Sequence, residues 1–408
     1  MARKSAFLCV IFLFLITAIA LPTTSSFAEG KAHKVAWQQM VDQEFQIFLM
    51  DFPNPASCMQ VTKGKHGSKH PSLRSDASRI YYYHWTPTNW GDMDLIYYQD
   101  MSEKKERQVQ RNAVHQEEDP CVSRDGGVLT YRSLQSVTTE TATIPDTDNW
   151  EIVCLKTDFS AANKITNTQN DDSNPFLSGN GEIVYFDITV ERNRSDTEKQ
   201  AMRDAEKEKN KMVPKSDTEK NTTESLSYFQ RFNETLSPMN VEFWLYPGMG
   251  GGGAAPKPAP PVDEGSDKDK KKDSAESGLD EDSWEFNHYN VYYIFRNTFD
   301  GKNTERVTPR DYNAWHPSVD ANENWMVFVS DMDGNDEIYL MDLNSFEIKR
   351  LTDDMAKDSS PQISSDGEII VFVSDRDGDT EIFSMKRDGS DVVQLTDNQI
   401  EDDNPSIT

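Results

Sequence analysis

The sequence predicts an all-β chain: a six-bladed β-propeller closed by pairing of its C-terminal strand with N-terminal strands, with one long insertion in blade 3. Two registers predict it. A proline opens a short strand-like segment six times, at Pro71, Pro120, Pro175, Pro317, Pro361 and Pro405, and nine residues before five of these stands a threonine after an apolar residue (Thr62, Thr166, Thr308, Thr352, Thr396). In the remaining copy the pair is Val109-Gln110, ten residues before Pro120. Fourteen residues before each closing residue lies a third-strand apolar position: Phe48, Ile96, Ile152, Ile294, Ile338 and Ile382. Two registers shared by six units mean one structural unit repeated.

The clearest unit, Leu351 to Thr396, has four short apolar segments separated by turns. Its second, Ile369 to Val373, is apolar without alternation, as a strand covered on both faces must be. Sheets stacked face to face around an axis provide that cover. Asp125-Gly126, Asn180-Gly181 and Asp366-Gly367 supply the turns between strands. The sixth unit is divided between the chain ends: first strand Asn404 to Thr408, second near Lys34 to Trp37, third Phe45 to Met50, fourth near Met59 to Thr62. A sheet built from both ends closes a ring and removes the exposed edges of an open array.

From proline to third-strand isoleucine the distance is 21 residues in the two clearest units and 119 in the unit starting at Pro175, so about 98 extra residues interrupt blade 3. This insertion, 191–285, begins with a charged stretch (Arg192 to Lys220) that reads as an exposed helix or disorder, and ends in a Gly/Pro and Asp/Lys-rich linker, Gly248 to Asp282. Between them Val241 to Tyr246 is apolar enough for a strand or docking segment. An extra hairpin against the blade and a partner-binding element are both open readings.

Arg3 and Lys4, an apolar run from Ala6 to Leu21 and the ending Ser26-Phe27-Ala28 read as a signal peptide, residues 1–28; the alternative is an uncleaved anchor. Cleavage would take the net charge from -28 to -30. Such a chain repels nucleic acid and anionic membranes and suits a basic or cation-bearing partner. Three cysteines then remain, Cys58, Cys121 and Cys154, an odd number that argues against a disulfide framework and for buried thiols.

Arg350-Leu-Thr, Ser360-Pro-Gln-Ile-Ser-Ser-Asp-Gly and Ile370-Val-Phe-Val-Ser-Asp-Arg-Asp-Gly-Asp-Thr-Glu-Ile-Phe-Ser-Met resemble the WD40-like (PD40) repeat of the TolB family. The likeness is close in the units near Arg306 and Arg350, degenerate around residues 60–166, and covers roughly three quarters of the chain. The resemblance implies a six-bladed periplasmic propeller, since TolB works with the Tol-Pal envelope system by binding protein partners. The sequence leaves no room for TolB's N-terminal α/β domain before the first propeller strand, so a TolB-like propeller, 34–408, is implied rather than the full TolB role.

The residues just before the prolines (His70, Asp119, Asn174, His316, Ser360, Asn404) share one pseudo-symmetric position, expected at the mouth of the channel. Three residues before the prolines stand Ser68, Glu117, Asp172, Ala314, Asp358 and Asp402, and four acids in one ring would make a negative mouth for a cation or a Lys/Arg-bearing peptide. The opposing reading is solvated polar loops. His70 and His316 invite a metal, as in propeller lyases, but blades 1 and 4 face each other across the ring, too far apart for shared ligation at about 2 Å. Asp331, Asp333, Asn335 and Glu337, and likewise Asp375, Asp377, Asp379 and Glu381, have the carboxylate density of calcium loops, although an Asp-Gly between apolar strands is first a hairpin turn. Calcium is the one cofactor to consider. No catalytic signature is present: neither a Gly-x-Ser-x-Gly elbow, nor His-Glu-x-x-His, nor a phosphate loop. The expectation is a non-enzymatic protein- or peptide-binding scaffold of the cell envelope, periplasmic or secreted. The alternative is a carbohydrate-binding or polysaccharide-lyase-like propeller using the channel.

Overall fold

Each apolar second strand finds the cover it needs on both sides. In the computed structural model, Ile370 and Phe372 of blade 5 pack with Val327, Val329, Ile338 and Leu340 of blade 4, while the alternating Val371 and Val373 point the other way and are equally buried. The same interleaving joins blade 6 to blade 1 through Ile47, Leu49, Leu73 and Tyr82, and blade 1 to blade 2 through Tyr83, Ile96, Leu129 and Tyr131. The hydrophobic core therefore lies between the blades.

The structure describes residues 32–88, 91–109, 116–138, 143–168, 170–212, 287–310 and 312–408. His33–Thr408 is one compact unit; of the other, Met1–Ala32, only Ala32 is described. The signal segment 1–28, Gln110, Val241 to Tyr246 and the linker Gly248 to Asp282 lie outside the described residues.

The described residues form six antiparallel sheets of four strands each. Blade 5 runs in order from the axis outward through Asp358–Ile363, Ile369–Ser374, Glu381–Lys386 and Val393–Gln394. Blade 6 uses both ends of the chain: Asp402–Ile407 pairs with Lys34–Val41, which pairs with Glu44–Asp51 and then Asn54–Gln60. The pairing Val35 with Ile407 and Ala36 with Ser406 closes the ring as the split unit predicted.

The threonine register has a direct cause. The Ile338 N–H donates to Thr352 Oγ1 at 2.9 Å, that hydroxyl donates to Glu337 Oε2 at 2.6 Å, and the Leu351 N–H donates to the Ile338 carbonyl at 2.8 Å. Ile152 with Thr166, Ile294 with Thr308 and Ile382 with Thr396 repeat the first bond at 2.8, 3.0 and 2.9 Å. In blade 6 the partner of Thr62 is Ile47, not Phe48, so the third-strand position there is one residue earlier than the spacing indicated. The short link from Ile47 to Thr62 accommodates an extra residue, and Ile47 is the one fully buried against blade 1. Thr352→Val will cost about 1–3 kcal/mol in urea unfolding, because it orphans a buried N–H and a carboxylate acceptor, whereas Thr352→Ser will cost far less.

The insertion starts on extended blade 3 strands, Ile183–Asn193 and His288–Thr298, followed on the first by a helix, Asp196–Met212. Ser195 caps it by accepting the Glu198 N–H at 3.3 Å while Glu198 accepts the Ser195 N–H at 2.6 Å. The helix is not exposed all round: Met202, Ala205 and Glu206 are buried.

Candidate functional site

Every first strand breaks its ladder at the same place. The register shifts around the proline in all six blades, and the residue before it adopts a left-handed conformation, with φ of 48° at His70, Asn174, Ser360 and Asn404, 51° at His316 and 53° at Asp119. Proline has no N–H for the ladder, and Asn, Asp and His tolerate this conformation better than most residues. The bulge turns these side chains toward the axis, where with the six prolines they line one cavity of about 90 Å³. That is room for several waters, since one water needs roughly 10–15 Å³.

Within it, His70 Nδ1 sits 2.6 Å from Asp119 Oδ1, and Asp119 Oδ2 lies 2.8 Å from Arg132 Nε. Arg132 also bonds Glu118 and lies 4.5 Å over the Trp150 ring. Burial alone would raise the Asp119 pKa, but Arg132 and His70 hold it below the usual carboxylate range. Burial alone would lower that of His70, and Asp119 outweighs it and raises it. His316 has no such counter-charge of its own: burial, then the charge on His70, pushes it down to about 4, and its buried Nδ1 has no hydrogen-bond partner.

The four acids expected beside this ring do not line the channel. Glu117, Asp172, Asp358 and Asp402 are buried between blades, because the bulge after them reverses the side-chain direction toward the neighbouring sheet. There they belong to a recurring clasp. The acid before the third-strand isoleucine, the closing threonine, and the acid 21 residues further on converge as Glu151, Thr166 and Asp172, as Glu337, Thr352 and Asp358, and as Glu381, Thr396 and Asp402. In blade 6 the Thr62 hydroxyl donates to the neutral Gln46 Oε1 at 2.9 Å, and the third position in sequence is Ser68. Between blades 1 and 2 the Glu117 carboxylate itself takes the Ile96 N–H. The signal for this clasp, Glu directly before the third-strand Ile at constant spacing, is present in the sequence.

The two calcium-like loops are tight turns: the Gly334 N–H donates to the Asp331 carbonyl and the Gly378 N–H to that of Asp375, both at 3.0 Å, with the glycines at φ 119° and 118°. Glu337 is fully buried in its clasp and paired with Arg350 at 2.6 Å, Asp331 accepts from Asn313, Asp333 from Tyr339, and Asn335 donates to the Asp354 and Ala356 carbonyls. In the second loop Asp375 accepts the Lys357 N–H, while oxygens of Asp377, Asp379 and Glu381 lie within 4.8 Å of one another. Cys121 and Cys154 are buried free thiols, that of Cys154 pushed up to about 12 by burial, but Cys58 is exposed, on an outer strand with solvent on one side.

Residues 286–408 match the family described as PD40, TolB beta propeller domain. No curated protein matches the chain in sequence. Among solved structures, TolB from Acinetobacter baumannii is 14% identical, with a TM-score of 0.56 over 92% of this chain and 66% of that one. The hydrazine synthase of Kuenenia stuttgartiensis is 9% identical, with a TM-score of 0.54 over 93% and 47%. A chain of a nidogen/laminin complex is 8% identical, with a TM-score of 0.50 over 92% and 98%. The chain thus spans less than two thirds of the first two. At these identities the structural likeness concerns fold: the chain is a six-bladed β-propeller, and its residues 286–408 match the TolB propeller family.

Proposed function

We propose that this protein is an exported propeller of the periplasm that binds, without catalysis, a protein or peptide partner in the cell envelope. Its docking face is the side on which the first strands begin. The observation that carries this reading is the asymmetry of that face. In blades 1 to 3 the second and third strands outgrow the first by several residues (Arg79–Thr88 with Gly91–Asp100, Val128–Thr138 with Thr143–Lys156, Ile183–Asn193 with His288–Thr298), whereas those of blades 4 and 5 are six residues long. Raised hairpins stand on one side of the channel mouth and a low shelf on the other. Asp333, Asp353 and Asp377 are exposed on the shelf, so it suits a basic or cation-bearing surface. The basic or cation-bearing partner is thus assigned to the shelf, not to the channel ring.

Export is supported by the sequence of residues 1–28 and by the TolB likeness, and no described helix is long and apolar enough to cross a membrane. In the nidogen/laminin complex a comparable propeller fold occurs in a protein–protein assembly. The triple variant Asp333→Asn, Asp353→Asn, Asp377→Asn will lower capture of envelope proteins about tenfold at low salt, and 0.5 M salt will do the same to the native protein. Undiminished capture by the variant, with undisturbed folding, would discard the shelf as the docking surface. A parallel deletion of 191–285 separates the shelf from the blade 3 insertion.

A further inference from the structure

The opposite end of the channel is closed. Successive loops at the ends of the first strands hold one another: Ser75 N–H to the Arg124 carbonyl, Asp125 N–H to that of Gly179, Ala321 N–H to that of Ser365, and Ser365 N–H to that of Thr408. A Cβ on Gly179 would lie 2.4 Å from the Ala321 carbonyl oxygen, so the blade 3 and blade 4 loops also touch. At the position that is Ser75, Gly179, Ala321 and Ser365 in other blades, blade 2 carries Arg124. Its guanidinium crosses the axis, donating from Nη1 to the Ile407 carbonyl of blade 6 at 2.6 Å and from Nη2 to the Ile363 carbonyl of blade 5, directly opposite, at 2.7 Å. The channel is therefore a blind pocket whose floor is a cation.

That cation has no anion of its own. Arg124 is only 9% exposed, and among the described residues its side chain bonds those two carbonyls and packs on the Phe176 ring at 5.7 Å, with Asp320 and Asp366 acting on it only through their charge. The nearest acids are committed elsewhere, Asp320 to the N–H groups of Asn322, Asn324 and Trp325, Asp366 to His33 and Ser364. Three of its five N–H donors are unassigned, and an unpaired buried charge is costly. The other titratable groups on the cavity wall are His70, His316, Cys121 and Asp119, and the Asp119 charge is met by His70 and Arg132. In a molecule of net charge -28 this is an unusual place to hold a positive charge.

We propose that the channel floor is a carboxylate-binding site: a carboxylate enters past His70, Asp119 and His316 and accepts hydrogen bonds from the free N–H groups of Arg124. From the ring to Arg124 is five residues of strand, about 16 Å, so the carboxylate is either a small free acid or the end of an extended peptide. The site is independent of the shelf, and binding here or its absence leaves the partner reading where it stands.

The test is calorimetry on the full-length mature protein with three probes: sodium acetate, acetyl-triglycine with a free C-terminal carboxylate, and the same peptide as its C-terminal amide. Saturable binding of at least one carboxylate probe is expected, with the amide about thirtyfold weaker than the acid. Acetate alone binding identifies a small acid as the ligand; tighter binding of the peptide acid identifies a chain end. Arg124→Gln should weaken the bound probe about thirtyfold and Arg124→Lys less. If Arg124→Gln fails to fold, His316→Trp, which narrows the entry without touching the floor, should abolish binding in its place. No binding of either acid up to about 20 mM, acid and amide binding alike, or full affinity in a folded Arg124→Gln protein would each overturn the proposal.

Discussion

Removal of Asn404 to Thr408 will unfold the protein or lower its Tm by well over ten degrees, since those five residues complete a blade and tie three others to it. Ile407 is fully buried, and its loss alone is worth about 1.5–3 kcal/mol of apolar transfer. With the segment go acceptors for four buried or half-buried donors: His33 Nδ1 and the Lys34 N–H to Thr408, the Leu73 N–H to Ser406 Oγ, and Arg124 Nη1 to the Ile407 carbonyl. Each orphaned group costs about 1–3 kcal/mol, and more for the charged one. The sum exceeds 5 kcal/mol and so rivals the whole stability of a typical domain, about 5–15 kcal/mol. The exposed edge of Lys34–Val41 also becomes free to pair with other chains, so aggregation should accompany the loss. Ile407→Ala is the graded control, at about 2–5 kcal/mol in chemical unfolding. A truncated chain that stays monomeric and melts within two or three degrees of the native one would show that the ring does not depend on this closure.

The architecture was legible because its periodicities are backbone requirements. Proline marks the bulge, threonine accepts the third-strand N–H, and an apolar run marks a strand covered on both faces. What misled was side-chain direction. Glu117, Asp172, Asp358 and Asp402 stand two positions before the left-handed residue, and linear spacing does not reveal that a bulge there sends His70, Asp119, Asn174, His316, Ser360 and Asn404 to the axis and the acids into the seams. Glu337 shows a different effect: it looks like the end of a calcium loop, and as the first residue of a buried strand its carboxylate is taken up by Thr352 and Arg350. Arg124 left no trace in the repeat pattern, because its role depends on the diameter of the closed ring, a quantity set by all six blades together.

Stability will fall as pH rises from 6.5 to 8, by about 2–3 kcal/mol at one proton per site. The seams set the sign. Burial raises Asp402 to about 8, and Asp172 and Glu117 to about 7, so in this window the folded chain holds protons that the unfolded chain has released. A raised folded pKa gives stability that is complete below the unfolded value and is lost as pH climbs through the folded one. His70, also raised, acts in the same direction. His316, lowered to about 4, acts oppositely, but only up to its unfolded value near 6.5, and the lowered Asp119 matters only at lower pH still. Asp402 dominates for a reason visible in the clasps. Asp358 has Arg376 at 3.0 Å and its partner Glu337 has Arg350 at 2.6 Å, whereas Asp402 faces Glu381 with the neutral donors Trp37, Asn398 and Thr396 and, among the described residues, no cation. Burial, and then the Glu381 carboxylate beside it, hold the proton on Asp402. Asp402→Asn reproduces the protonated acid in shape and hydrogen bonding, accepting from Trp37 and donating toward Glu381. It should leave the melting temperature at pH 6.5 nearly unchanged, raise it at pH 8, and remove about half of the slope, the rest belonging to Asp172 and Glu117. Melting curves at pH 6.5, 7.2 and 8 for both proteins decide the matter: an equal slope in the variant would move the titrating proton away from the blade 5 to blade 6 seam.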